Sequence, residues 1–205
     1  ISQYIQVIAG AKKGNYLVFF PSYYYMSQVK SLLEKEDAYQ LLSQESNMDE
    51  EEREGFLNEF QKERDASLIG LCVMGGIFSE GIDLRKESLI GVILVGCGLP
   101  MVCTEQEILR DYFEEKDKKG FAYAYQYPGM NKVMQAAGRV VRTAEDGGVI
   151  ALLDDRFLSP EYQALFPREW DEYYPVQLGN AGQVLDQFCK MRERLQNGHE
   201  MPGSL

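Results

Sequence analysis

The 205-residue chain has one histidine (His199), one tryptophan and four cysteines, and these scarcities exclude several kinds of site. Cys72, Cys97, Cys103 and Cys189 form no C-x-x-C pair, and with His199 they are too scattered for a zinc or iron–sulfur centre. No metal site is therefore expected, and buried free thiols in a reducing cytosol account for the cysteines. The longest apolar run, residues 89–100, contains three glycines. It falls short of the roughly 20 residues that span a bilayer, so no membrane partner is expected. No signal peptide opens the chain. It starts at Ile1 without a methionine, as expected of a piece of a longer protein.

The charge is lopsided rather than uniform. The formal net charge is −11, which taken alone argues against binding nucleic acid. Residues 34–65, however, carry twelve acidic side chains against four basic ones, leaving the remainder near −3. The acidity thus belongs to one solvated segment. With 45% hydrophobic and 26% charged residues, residues 1–205 read as a single soluble domain, expected to be monomeric and able to bury about 70% of its unfolded surface.

Apolar periodicity alternates between helix-like and strand-like along the chain, which points to an α/β domain with a mainly parallel sheet. Residues 2–13 read as a helix stopped by Gly14-Asn15, and 16–20 (YLVFF) as a strand buried on both faces. A helix is expected over 24–36, a weaker edge strand over 38–42, and an amphipathic helix over 49–63. Further strands fall at 68–74, 89–95 and 147–153. Helices fall at 104–118, capped by Thr104, then at 129–143 and 181–196, with a frayed tail at 197–205.

Three segments carry the candidate chemistry. In QAAGRVVR, Gln135, Arg139 and Arg142 are spaced to share one helical face. Gly138 among them costs about 1 kcal/mol relative to alanine if it lies inside a helix. That face either binds a polyanion such as a triphosphate or is a solvated face whose arginines pair with the acidic segment. In GGIFSEGIDL, after a buried strand, Ser79, Glu80, Gly81 and Asp83 either meet a ligand at the sheet's carboxyl edge or form a capped tight turn. In FFPSY, Ser22 suits a helix cap, and the amides beside it suit a phosphate. Tyr23, Tyr24 and Tyr25, with Tyr123, Tyr125 and Tyr127, suit base stacking, although packing against the sheet is the plainer role for most.

Two absences bear on that polyanion. No G-x-x-x-x-G-K-[ST] phosphate loop occurs, since Gly10-Ala-Lys-Lys-Gly14-Asn15 lacks both spacing and lysine. No Asp–Glu pair follows a buried strand to hold magnesium. Asp49-Glu50-Glu51-Glu52 is instead a helix start, where acids complement the dipole.

In this order FFPSY, GGIFSEGIDL and QAAGRVVR resemble motifs IV (near 19–23), V (near 75–84) and VI (near 135–142) of superfamily 2 helicases of the DinG/XPD family. GCGLP, YQYPGMNKVMQAAGRVVR and GGVIALLDDRF extend the resemblance over roughly residues 14–174. It implies a RecA-like, P-loop-NTPase-like three-layer α/β sandwich that lacks its own P-loop, the second motor domain of an ATP-dependent DNA helicase moving 5′ to 3′. It implies as partners the first RecA-like domain of the same polypeptide and single-stranded DNA. ATP with Mg²⁺ would be held mainly by that first domain, which in this family also carries an iron–sulfur insertion.

By the same resemblance Arg142 matches the arginine finger, Arg139 binds phosphates or holds motif V, and Gln135 senses the nucleotide. Glu80, Gly81 and Asp83 couple nucleotide to DNA, while Ser22, Tyr23 and Ser79 contact the DNA. A bacterial cytoplasmic setting and a role in DNA repair go with this family. The alternatives are a degenerate RecA-like interaction module using the acidic helix, or the equivalent domain of an RNA helicase.

Overall fold

A strand that is apolar on both faces needs a covering layer on each side, and YLVFF sets that requirement at the start of the chain. The computed structural model describes residues 1–78, 89–138 and 148–196, with the backbone only for 192–196. In chain order it contains α1 (Ser2–Ala11), β1 (Asn15–Phe20), α2 (Tyr23–Leu33), β2 (Tyr39–Ser43), α3 (Glu50–Glu59) and β3 (Ser67–Val73). There follow β4 (Gly91–Val95), α4 (Thr104–Asp117), α5 (Tyr127–Ala137), β5 (Val149–Leu153), α6 (Pro160–Gln163) and α7 (Leu178–Gln196).

The five strands form one parallel sheet in the order β2-β3-β1-β4-β5, with β1 in the middle. Alternate side chains of β1 enter two separate cores, as strand geometry requires. Tyr16, Val18 and Phe20 pack with Ile5 and Ile8 of α1, Met26 and Val29 of α2, and Leu185 of α7. Leu17 and Phe19 pack with Phe56 of α3, Phe60, and Met130 and Val133 of α5. The result is the expected three-layer sandwich.

Elements fall close to their expected places, with three informative differences. Thr104 does not cap α4: it is the first helical residue, and Cys103 occupies the cap position without a side-chain bond to the helix backbone. The Cys103 thiol is engaged by the Glu105 carboxylate instead. Gly138 is not interior to a helix, because α5 ends at Ala137 and Gly138 is its C-cap residue. Its helix-interior cost therefore does not arise, and residues 139–143 of the expected helix lie outside the described residues, as does the 197–205 tail. Before α5, residues Ala122–Gln126 form a π-helical segment. Pro128 has no N–H to offer the Ala124 carbonyl and its ring crowds that oxygen, which is the condition under which a helix widens.

The tyrosines divide otherwise than expected. Tyr125 is buried, but Tyr24 is exposed and Tyr23 and Tyr25 are only partly covered, although Tyr25 still meets the sheet edge-on at Phe20, with ring centroids 6.1 Å apart. Nor are all the thiols buried: Cys72 and Cys97 are, Cys189 is intermediate and Cys103 is exposed. Among the described residues no helix is long and apolar enough to cross a membrane.

Packing at two glycines makes opposite demands. A Cβ at Gly70 of β3 would stand 2.5 Å from Phe60 Cζ and 3.0 Å from Leu17 Cδ2. One at Gly10 of α1 would meet nothing within 4 Å. In urea denaturation of this chain, Gly70→Ala is expected to destabilise by about 1–3 kcal/mol through overpacking. Gly10→Ala is expected to stabilise by about 0.5–1 kcal/mol. Equal effects of the two substitutions would contradict this account of the core.

Candidate functional site

The carboxyl edge of a parallel sheet gathers the loops that leave its strands, and here all five strands, β1 to β5, send their exits there. β1 ends at Phe20, and Pro21-Ser22 turns the chain into α2. Ser22 is the cap: the Tyr25 N–H donates to its Oγ at 3.2 Å and the Met26 N–H to its carbonyl at 3.0 Å. The capping bond uses an acceptor position, which leaves the exposed hydroxyl a proton to donate outward. Tyr23 follows at the first helical position, and burial raises its phenol above the ordinary range, so it stays neutral at physiological pH.

β3 ends at Val73, and Met74-Gly75-Gly76 form the turn that opens the second motif. The Met74 N–H donates to the Phe20 carbonyl at 2.8 Å, so this turn starts level with the end of β1. Gly75 has φ +70, a left-handed conformation that favours glycine. Phe78 is buried and stacks on Phe56 at 4.3 Å, anchoring the segment on the α3 side. The turn also touches both neighbouring motif segments. Gln44, buried just after β2, accepts from the Val73 N–H at 3.0 Å and donates from Nε2 to Tyr23 Oη at 2.7 Å. On the other side Lys132 of α5 lies beside Gly75, 3.4 Å from where its Cβ would be.

α5 buries Met130, Val133, Ala136 and Ala137 and turns Gln135 outward. It comes close to the sheet because Gly98, in the turn after β4, and Gly129 meet backbone to backbone. A Cβ at Gly129 would lie 2.5 Å from the Cys97 carbonyl, and one at Gly98 would lie 2.9 Å from the Gly129 carbonyl. Tyr23, the β3 turn and α5 are thus brought side by side. Ser79, Glu80, Gly81 and Asp83, with Arg139 and Arg142, lie outside the described residues.

Sequence reasoning gave no role to the group at the ends of β4 and β5. A cleft of about 200 Å³ opens there between Pro21, Tyr25, Cys97, Gly98, Asp154 and Arg156. Arg156 forks onto Asp154 with bonds of 2.9 and 2.7 Å, and this partner holds the carboxyl below its usual range. Burial, with the Asp154 charge next, pushes the Cys97 thiol up to about 12. Burial likewise raises Tyr162 to about 12. The only signal was the Asp154-x-Arg156 spacing after a strand, which a surface ion pair shares. Among the described residues no three His, Cys, Asp or Glu side chains stand together to hold a metal ion.

The helicase C-terminal domain family matches residues 5–173. The chain belongs to that family. It is 30% identical over 164 residues to the ATP-dependent DNA helicase CHL1 of Eremothecium gossypii, covering 72% of this chain and 20% of the relative. It is 32% identical over 175 residues to CHL1 of Yarrowia lipolytica, covering 72% of this chain and 22% of the relative. The chain therefore spans about a fifth of the length of these curated relatives. A solved apo XPD structure superposes with a TM-score of 0.65 at 24% identity, covering 80% of this chain and 33% of that one. This likeness supports the RecA-like fold.

The helicase C-terminal domain offers its thiols very unequally. At pH 8 an alkylating reagent is expected to modify Cys103 rapidly. Cys72 and Cys97 react only on unfolding, because burial raises both pKa values and suppresses the reactive thiolate. Peptide mapping that found Cys97 labelled in the folded protein would contradict the packing at the ends of β4 and β5.

Proposed function

We propose that this domain is the second motor domain of an ATP-dependent DNA helicase that moves 5′ to 3′ along single-stranded DNA. The observation that carries the reading is the juxtaposition at one sheet edge. Gln44 joins Tyr23 to Val73, and Lys132, one turn before Gln135, lies beside Gly75. Segments far apart in sequence form one continuous strip, as a domain that links a nucleotide site to a DNA groove requires. The names of the CHL1 relatives favour DNA over RNA as the track.

In this reading Arg142 reaches across to an ATP site shared with the first RecA-like domain of the same polypeptide and stabilises charge on the transferring phosphoryl group. Arg139 binds phosphates or holds the loop at 79–83, and Gln135 senses the nucleotide. Glu80, Gly81 and Asp83 pass its state to the DNA side. Ser22, Tyr23 and Ser79 grip the DNA backbone without reading sequence, since hydroxyls and amides there meet phosphate rather than base edges. Closure of the two domains on ATP and their opening after hydrolysis alternate the grip. The Mg²⁺ that accompanies ATP falls to ligands of the first domain, which is where charge neutralisation of the phosphates belongs. The free thiols fit a cytoplasmic setting.

The test is ATP hydrolysis by the full-length protein with and without single-stranded DNA. Hydrolysis stimulated by DNA is expected, and Arg142→Ala should lower turnover by about 10³-fold or more while ATP binding stays nearly intact. Turnover within a few fold of wild type removes Arg142 from the finger role. This chain alone is expected to hydrolyse no ATP, and phosphate release by the purified chain would contradict a shared site.

A further inference from the structure

The best-satisfied buried polar side chain near the sheet edge is one that the motif pattern passes over. Gln44 follows β2 directly, and its own N–H donates to the Leu71 carbonyl at 2.8 Å, carrying the ladder one residue further. Its side chain is 3% exposed, so both ends of the amide must find partners inside the protein. The amide orientation follows from chemistry. The Val73 N–H can only donate and therefore takes Oε1 at 3.0 Å, leaving Nε2 to donate to Tyr23 Oη at 2.7 Å. The turn is also packed onto this amide, because a Cβ at Gly76 would lie 3.2 Å from Nε2.

Two loops from different strands are therefore tied through one side chain. One begins at the Ser22 cap, and the other begins where β3 ends. A displacement of either loop by about 1 Å breaks one of these bonds, and leaving the buried Gln44 amide unpaired is costly. We propose that Gln44 is a positioning residue that locks the Ser22–Tyr23 loop to the Met74–Gly76 turn, so that both present one rigid surface to the DNA backbone. This rests on the DNA-gripping role proposed for those loops. Gln44 itself touches no DNA and acts through Tyr23 and Val73.

The experiment titrates single-stranded DNA into the ATP hydrolysis assay of the full-length protein. It compares wild type with Gln44→Met, Tyr23→Phe and the double variant. Gln44→Met keeps the length of the side chain and removes both bonds, whereas Tyr23→Phe removes only the hydroxyl. The DNA concentration for half-maximal stimulation is expected to rise about threefold to tenfold in Gln44→Met, the range that one lost hydrogen bond spans. Turnover of Gln44→Met at saturating DNA is expected to stay within twofold of wild type. The double variant is expected to be no weaker than the weaker single one, because both substitutions break the same link.

A merely structural role gives another pattern. Loss of folded protein lowers saturating turnover and leaves the half-saturation point where it was, and that result overturns the proposal. So do an unchanged titration and single effects that multiply in the double variant. If Gln44→Met does not fold, amide hydrogen exchange of Tyr23→Phe without DNA decides: faster exchange than wild type at Met74–Gly76 supports the link and unchanged exchange there overturns it. Wild-type hydrolysis indifferent to DNA overturns the motor reading and this inference with it. Stimulated wild type with unaffected variants overturns the inference alone.

Discussion

β1 is hydrogen-bonded along both sides, to β3 and to β4, and its side chains from Tyr16 to Phe20 are all buried. A parallel strand in that position has no freedom of register, because a slip by one residue would exchange the contents of the two cores. Everything functional hangs from this constraint. Pro21 and Ser22 leave the end of β1, Met74 bonds back to Phe20, and β4 delivers the Cys97–Gly98 turn beside α5. The points at which these loops depart are fixed by the buried ladder.

The acidity that argues against a DNA partner has a local explanation in this scaffold. Asp49 caps α3 reciprocally with Glu52, each bond at 2.9 Å, and Glu50, Glu51 and Glu52 fill the first turn. Acids in that position are stabilised by the helix's own N–H groups and dipole. Glu59 forms ion pairs with Lys62 and Arg64, which hold its carboxyl below the usual range. Exposed charges of this kind are screened within about 10 Å at ordinary salt. Because α3 runs from the end of β2 back to the start of β3, its acidic first turn lies toward the carboxyl edge, where the helix's own N–H groups and screening, rather than distance, limit its field.

Most of the fold was legible in the sequence because the strands are continuous apolar runs bounded by glycine or proline. YLVFF, the run beginning at Leu68 and GVILV each announce burial on both faces, and the weaker QLL segment sits at the sheet edge as its composition suggests. The candidate site was legible in part. Ser22 appears as the cap it was read to be, and Gln135 faces outward from α5. What escaped were relations between segments. No periodicity marks Gln44 as the bridge from Tyr23 to Val73, since a single glutamine after a short strand looks like any polar loop residue. The π-helical segment before Pro128 and the packing of Gly98 on Gly129 likewise depend on tertiary contacts that no local pattern encodes.

The central claim is that the carboxyl edge of this sheet is the surface that meets single-stranded DNA. Ultraviolet crosslinking of a single-stranded oligonucleotide to the full-length protein, followed by peptide mapping, tests it most directly. The account predicts adducts within this domain in the segment around Ser22 to Tyr25 and in the loop that follows Val73. Adducts confined to the outer surface of α4 or to the acidic α3, with none at that edge, would contradict it.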